Sequence, residues 1–241
     1  METLQALSNL TSLTRLYLSK LEDSRDECLW PLLAHGRLTE LTLYDTPDFF
    51  AGSNASRLCD KEFFSSSSKL LALCTNNTGF LNAPISNILS STLTTLELRF
   101  DDEVEGLTEE QEEALQLLTS IQKLRFEQGK KLQRLPSVLH KLANLEKLII
   151  VQCSAIRSLP SLPSCLQEVF ISGCGAMKSL PNSLPNSLEI LTIYGCKAIR
   201  SLPKDGLPSS VRELYVHNEQ NSEDLRRECR KLIGTIPIIK A

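Results

Sequence analysis

One phrase, written three times between Leu145 and Pro203, constrains this chain more than any other feature. It runs Leu145-x-x-Leu148-x-Ile150-x-x-Cys153-x-x-Ile156-x-x-Leu159-Pro160, then from Leu166 to Pro181, then from Leu188 to Pro203, with starts 21 and 22 residues apart. The second and third apolar positions of each copy alternate with free ones, which is the period of a strand. A template that recurs at about 20–29 residues makes a solenoid, because no single copy buries its apolar face and successive copies must stack.

Less perfect copies extend the pattern in both directions. Leu13-x-x-Leu16-x-Leu18, Leu38-x-x-Leu41-x-Leu43, Leu93-x-x-Leu96-x-Leu98, Ile121-x-x-Leu124-x-Phe126 and Val211-x-x-Leu214-x-Val216 keep the strand phrase, and Leu70-x-x-Leu73 is a degenerate coil. This is the leucine-rich-repeat signature. The expected fold is an α/β solenoid, a horseshoe of about nine coils over residues 1–241. Parallel strands would line its concave face, with short helices and turns on the convex face, since Leu-Pro endings leave little room for full return helices.

Two stretches depart from the template. Residues 47–90 are expected to form irregular coils, with Phe49-Phe50, Phe63-Phe64 and the Ser65–Ser68 run outside any register. Residues 222–241 are expected to form a C-terminal cap. In it Ser222 caps a helix, Leu225, Cys229, Leu232 and Ile233 share one face, and Gly234 ends it. A further helix is expected over 109–119, where Thr108 and Gln111 have capping-box spacing. The first copy starts a dozen residues in, too early for an N-terminal cap, so the chain is expected to be the tail of something longer.

Charge and cysteine narrow the function. The net charge is only −3, but residues 1–120 hold 8 Lys/Arg against 19 Asp/Glu and residues 121–241 hold 18 against 10. Such a split suggests different partners for the two ends. No dense basic run interleaves with aromatics, so a nucleic-acid partner is not expected. Cys153, Cys174 and Cys196 recur at the phase where each coil leaves its strand, which suits structural thiols in a reducing compartment. Cys28, Cys59, Cys74, Cys165 and Cys229 share no spacing, and without a CxxC pair no zinc site is expected. No signal peptide or apolar run of membrane-spanning length is present, so the expected location is the cytoplasm or nucleus.

No phosphate loop, nucleophile elbow or His-Glu-x-x-His occurs, so neither catalysis, a metal nor a cofactor is expected. Recognition would instead use the free strand positions. Their central column is Tyr17, Thr42, Glu97, Arg125, Ile149, Phe170, Thr192 and Tyr215; beside it stand Tyr44, Arg99, Glu127, Val151, Tyr194 and His217. Apolar and aromatic residues outside the core phase suit a protein partner. The candidate partner-binding face is therefore Tyr17, Tyr44, Glu97, Arg99, Arg125, Glu127, Ile149, Phe170, Tyr194, Tyr215 and His217.

The wording is more specific than the pattern. Leu107-Thr-Glu-Glu-Gln-Glu-Glu-Ala-Leu-Gln-Leu-Leu118, Ala198-Ile-Arg-Ser-Leu-Pro-Lys-Asp-Gly-Leu-Pro-Ser-Ser210 and Cys229-Arg-Lys-Leu-Ile-Gly-Thr-Ile-Pro-Ile-Ile-Lys240 carry it. With the Cys turn and the Leu-Pro ending, they resemble the carboxy-terminal repeats of coiled-coil nucleotide-binding disease-resistance proteins of grasses. The resemblance is strongest from Leu93 onward. It implies intracellular immune sensing: repeats that recognise a pathogen effector or an effector-modified host protein and restrain a nucleotide-binding domain. The coiled coil and nucleotide-binding domain of that family do not occur in these 241 residues, so no ATP/ADP site carries over. The competing expectation is a free-standing repeat scaffold, an adaptor or a substrate-recognition arm.

Overall fold

The computed structural model describes residues 12–20, 37–46, 68–216 and 220–241. The chain divides into two compact units, residues 1–99 with 108–121, and residues 100–107 with 122–241.

In the first unit, strands β1 (Arg15–Ser19), β2 (Glu40–Tyr44), β3 (Ala72–Thr75) and β4 (Thr95–Arg99) pair in parallel and in chain order. The register sets Leu16, Leu41, Leu73 and Leu96 in one row and Leu18, Leu43, Thr75 and Leu98 in another. Because strand side chains alternate, an in-register stack sends every template leucine to the same side. Leu41, Leu43, Leu73, Leu96 and Leu98 are buried there, while Leu16 and Leu18 of β1 are only half-buried. The degenerate copy at Leu70 is thus a full member of the stack.

The return segments of this unit carry helices. Helix α1 (Ala83–Leu89) begins where the Asn82 side chain accepts from Ile85 N at 3.1 Å, with a proline in its first turn. Asparagine at the cap and proline just inside are favoured because one accepts an orphan N–H and the other lacks one. Helix α2 (Glu109–Gln116) has the expected capping box: Gln111 N donates to Thr108 Oγ1 at 3.2 Å and Thr108 N to Gln111 Oε1 at 3.0 Å. Gln111 Nε2 also donates to Thr78 Oγ1 at 3.0 Å, tying α2 to the segment before α1. Ile85 and Leu89 of α1, and Ala114 and Leu115 of α2, are buried. Of the stretch expected to be irregular, 47–67 lies outside the described residues; 68–90 holds β3 and α1.

In the second unit β5 (Lys123–Glu127), β6 (Lys147–Val151), β7 (Glu168–Ser172), β8 (Ile190–Tyr194), β9 (Glu213–Tyr215) and β10 (Ile238–Lys240) also pair in parallel and in chain order. Template residues such as Leu124, Leu148, Val169, Leu191 and Leu214 are fully buried. Each such side chain contributes about 1.5–3 kcal/mol of burial. Returns are short: a 3-10 turn at Ser137–Lys141 and otherwise extended Leu-Pro segments.

Each coil leaves its strand in the same way. The residue after the strand has positive φ in six coils: Lys20, Asp45, Gln128, Gln152, Gly173 and Gly195. In the three template copies the next residue is Cys153, Cys174 and Cys196 in turn. All three are buried free thiols, each donating at 3.5 Å to the carbonyl two residues back. Gly129 stands at the same phase, and a Cβ there would come within 2.7 Å of Leu132 Cβ and 3.4 Å of Cys153 Sγ. Cys165, which the sequence leaves without a phase, has one: it donates to Leu145 O at 3.2 Å as Ser187 donates to Leu166 O and Ser210 to Leu188 O, both at 2.7 Å.

The tail differs from a simple helical cap. Helix α3 (Glu223–Arg230) starts at Ser222, whose Oγ accepts from Leu225 N at 3.2 Å, and buries Leu225 and Cys229. It ends at Lys231, before Gly234; Leu232 is half-buried and Ile233 exposed, so the expected apolar face is two residues shorter. The chain then adds β10 to β9, a strand the repeat pattern does not announce. Asn221, 4 % exposed, closes the coil before α3. Its Nδ2 donates to Ile193 O at 2.7 Å and Val216 O at 3.2 Å, and its Oδ1 accepts from Cys196 N at 2.9 Å.

Candidate partner-binding face

The face turned away from the leucines carries the free strand positions, so the columns read from the sequence can be placed residue by residue. In the first unit they form a linked polar–aromatic group. Tyr17 and Tyr44 meet edge to face with centroids 6.4 Å apart, and the Arg99 guanidinium lies 4.5 Å from the Tyr44 ring centre. The Tyr44 hydroxyl donates to Glu97 Oε1 at 3.5 Å. A cation over a tyrosine face is worth about 0.5–1 kcal/mol at an exposed site, which favours this arrangement modestly. Tyr17 remains 65 % exposed. The register also sets Cys74 between Thr42 and Glu97, half-buried on this face. Sequence reasoning missed it, although the β3 register implies it.

In the second unit the charged positions largely neutralise one another. Arg125 Nε lies 3.0 Å from Glu127 Oε2 and Lys147 Nζ lies 2.7 Å from Glu168 Oε2. The Tyr215 hydroxyl donates to Glu213 Oε2 at 2.7 Å, and Lys240 Nζ stands 5.3 Å from the Tyr215 ring centre. That hydrogen bond, together with lesser effects of burial and the negative charge of Glu213, raises the Tyr215 hydroxyl above its ordinary pKa. Neutral tyrosine is the form that donates.

Between these pairs lies the apolar part. Ile149 faces Phe170 in register, and Phe170 is separated from Tyr215 by Thr192. Ile149 is only 6 % exposed, so it supports this face without being presented on it. Val151, Ser172 and Tyr194 form the next row, with Tyr194 46 % exposed. Phe170, Tyr194 and Tyr215 are thus spaced along the sheet: adjacent strands are about 4.8 Å apart, so Phe170 and Tyr215 stand about 10 Å apart. His217 lies outside the described residues.

Among the described residues, no cluster of three or more His, Cys, Asp or Glu side chains could hold a metal ion, and no helix is long and apolar enough to cross a membrane.

Parallel strands in register, a leucine core on one side and a buried cysteine in the turn after each of β6, β7 and β8 define a leucine-rich-repeat solenoid. A known structure agrees on the fold. The chain is similar to the leucine-rich repeat domain of the type III effector XopL, with a TM-score of 0.51 and 18% identity over 90% of this chain and 80% of that one. A leucine-rich repeat protein from Bacteroides ovatus matches with a TM-score of 0.26 and 14% identity, covering 74% of this chain and 39% of that one. No protein-family model matches the chain, and no curated protein is significantly similar to it in sequence.

Proposed function

We propose that this chain is a protein-recognition scaffold, and more specifically the sensing and regulatory segment of an intracellular plant immune receptor. On this reading it senses a pathogen effector or an effector-modified host protein and restrains a nucleotide-binding domain that lies outside these 241 residues. The observation that carries recognition is Tyr194, 46 % exposed beside half-buried Phe170 and Tyr215 on a face where Arg125 pairs with Glu127 and Lys147 with Glu168. Aromatic side chains presented this way anchor interfaces, since they bury large areas at small entropic cost. The receptor reading is supported by the wording of residues 107–118, 198–210 and 229–240.

Two experiments test the two levels. Phe170→Ala with Tyr215→Ala should abolish a partner-dependent response while protein accumulation stays unchanged; a response that persists at wild-type strength removes this face from recognition. For the receptor, genomic sequence upstream of Met1 should encode a phosphate-binding loop in frame. Non-coding sequence there would overturn that level and leave a free-standing repeat scaffold.

A further inference from the structure

A second surface, independent of the sheet face, follows from one phase of the repeat. The residue after Ile156, Met177 and Ile199 is in turn Arg157, Lys178 and Arg200, each followed by Ser-Leu-Pro. All three cations are exposed, as are Ser158, Ser179 and Ser201 beside them. The first two coils stack directly here. Lys178 N donates to Arg157 O at 3.0 Å, and Ser158 pairs with Ser179 in a parallel bridge. The backbones carrying these cations are therefore about 5 Å apart. No acid occurs between Cys153 and Pro160, Cys174 and Pro181, or Cys196 and Pro203, and Lys197 adds a fourth exposed base. None of the four makes an ion pair among the described residues.

The preceding coils show what this phase accepts. Lys130, Lys131 and Gln133 stand where Ser154, Ala155 and Arg157 stand one coil later. Against them lies an acidic strand of chain: Lys130 Nζ meets Asp102 Oδ2 and Lys131 Nζ meets Glu103 Oε2, both at 2.8 Å. Gln133 Nε2 donates to Glu105 Oε2 at 3.1 Å, and Gln133 N to Glu105 O at 2.9 Å. Along the phase the side chains run Glu105, Gln133, Arg157, Lys178, Arg200. Acid is matched at its start; at its end the bases make no ion pair among the described residues, and the one carboxylate nearby, that of Glu228, accepts from Leu202 N at 2.8 Å.

An open groove adjoins the unmatched end. It starts two residues after Arg157 and has a mixed lining, with Pro160, Leu162 and Pro181 beside Ser161, Asn182 and Asn186 among others. We propose that the Arg157–Lys178–Arg200 column, with Lys197 at its edge, docks an extended acidic segment of a partner protein, with carboxylates on the cations and a neighbouring part of the segment along the mixed polar and apolar groove. Three coils span about 10 Å, the length of three to four residues of extended chain. No aromatic side chain stands in this phase to stack a base, which favours a peptide over a nucleic acid. Each exposed pair is individually weak and screened by salt, so binding requires several at once.

The probe is a fluorescein-labelled peptide with the sequence of residues 101–113, which carries eight acids and no base, titrated against the full chain by fluorescence anisotropy. A control peptide replaces each Asp and Glu with Asn and Gln. The acidic peptide should bind and the control should not. Arg157→Gln/Lys178→Gln/Arg200→Gln should weaken binding at least tenfold. Lys141→Gln/Arg212→Gln/Lys231→Gln, which removes the same charge elsewhere, should change it less than twofold. Unchanged circular dichroism melting keeps the comparison on folded protein. Equal losses in the two triple variants, or no binding of the acidic peptide, would overturn the proposal. A twelve-residue oligothymidylate that binds the same column more tightly than the peptide would overturn the choice of partner.

Discussion

At the scale of single residues, the strand exit is where this chain is most exacting. Left-handed backbone costs an L residue with a side chain about 1–2 kcal/mol, and glycine escapes it. Gly173 and Gly195 occupy that position at φ 67° and 65°, but Gln128 and Gln152 occupy it at 61° and 54°. Gln152→Gly should therefore stabilise the protein by about 1 kcal/mol, read as a higher urea midpoint with an unchanged m-value; a lower midpoint would show that the Gln152 side chain contributes more than the strain costs. The thiols that follow make a second residue-scale argument. Burial pushes the Cys153 thiol up to about 11 and Cys229 up to about 12; a hydrogen bond with Cys196, then burial, raises Cys174. An unfolded thiol ionises near 8.5. Above that pH the unfolded chain loses its proton while folded Cys153 keeps it, so stability is fully present below about 8.5 and declines as pH rises toward 11. The loss approaches about 1.4 kcal/mol per pH unit for each such thiol. Urea denaturation at pH 8, 9 and 10 should show this decline, and Cys153→Ala should make it shallower. An identical slope in the variant would mean that the thiol already ionises in the folded protein.

At the scale of elements, the sequence was legible wherever one element obeys one local rule. The apolar template placed β1, β2 and β4 to β9, because a strand that buries alternate residues must repeat them in register; β3 lies in the stretch expected to be irregular, with only the degenerate Leu70-x-x-Leu73 to mark it. The capping box placed α2, and Thr108→Ala should cost about 1 kcal/mol, measurable as a lower melting temperature; Thr108→Ser should retain most of that. Elements that answer to two rules at once were harder to read. Helix α1 carries its own start signal, Asn82 followed by a proline, but its apolar residues Ile85 and Leu89 sit in sequence between Leu81 and the template residue Leu93 and blur the period. Strand β10 has no template leucine triplet, and its three residues become a strand only because β9 offers an unpaired edge. The face shows the same limit. Register puts Phe170, Tyr194 and Ile149 on the side of the sheet away from the leucines, but whether a side chain on a sheet is covered depends on neighbours one coil away. Ile149 is covered and Tyr194 is not. Nothing local distinguishes them.

At the scale of the molecule, a stack of coils is held by contacts between neighbours, so stability is a sum of intrinsic and interface contributions that weakens toward each end. Strands β6, β7 and β8 each have a buried template residue at every core position and a paired strand on both sides. By contrast, Leu16 and Leu18 of β1 are half-buried, and β10 pairs only with β9 and exposes Ile238. Native-state hydrogen exchange should accordingly be slowest for the amides of β6 to β8 and faster by orders of magnitude in β1 and β10, since local opening tracks local burial. Leu191→Ala, which empties a fully buried position in β8, should cost about 2–5 kcal/mol. It should speed exchange in β7, β8 and β9 far more than in β2 and β3. A uniform increase from β2 to β9 would instead show that the whole chain opens as one cooperative body, and that coupling between coils exceeds the stability of any one of them.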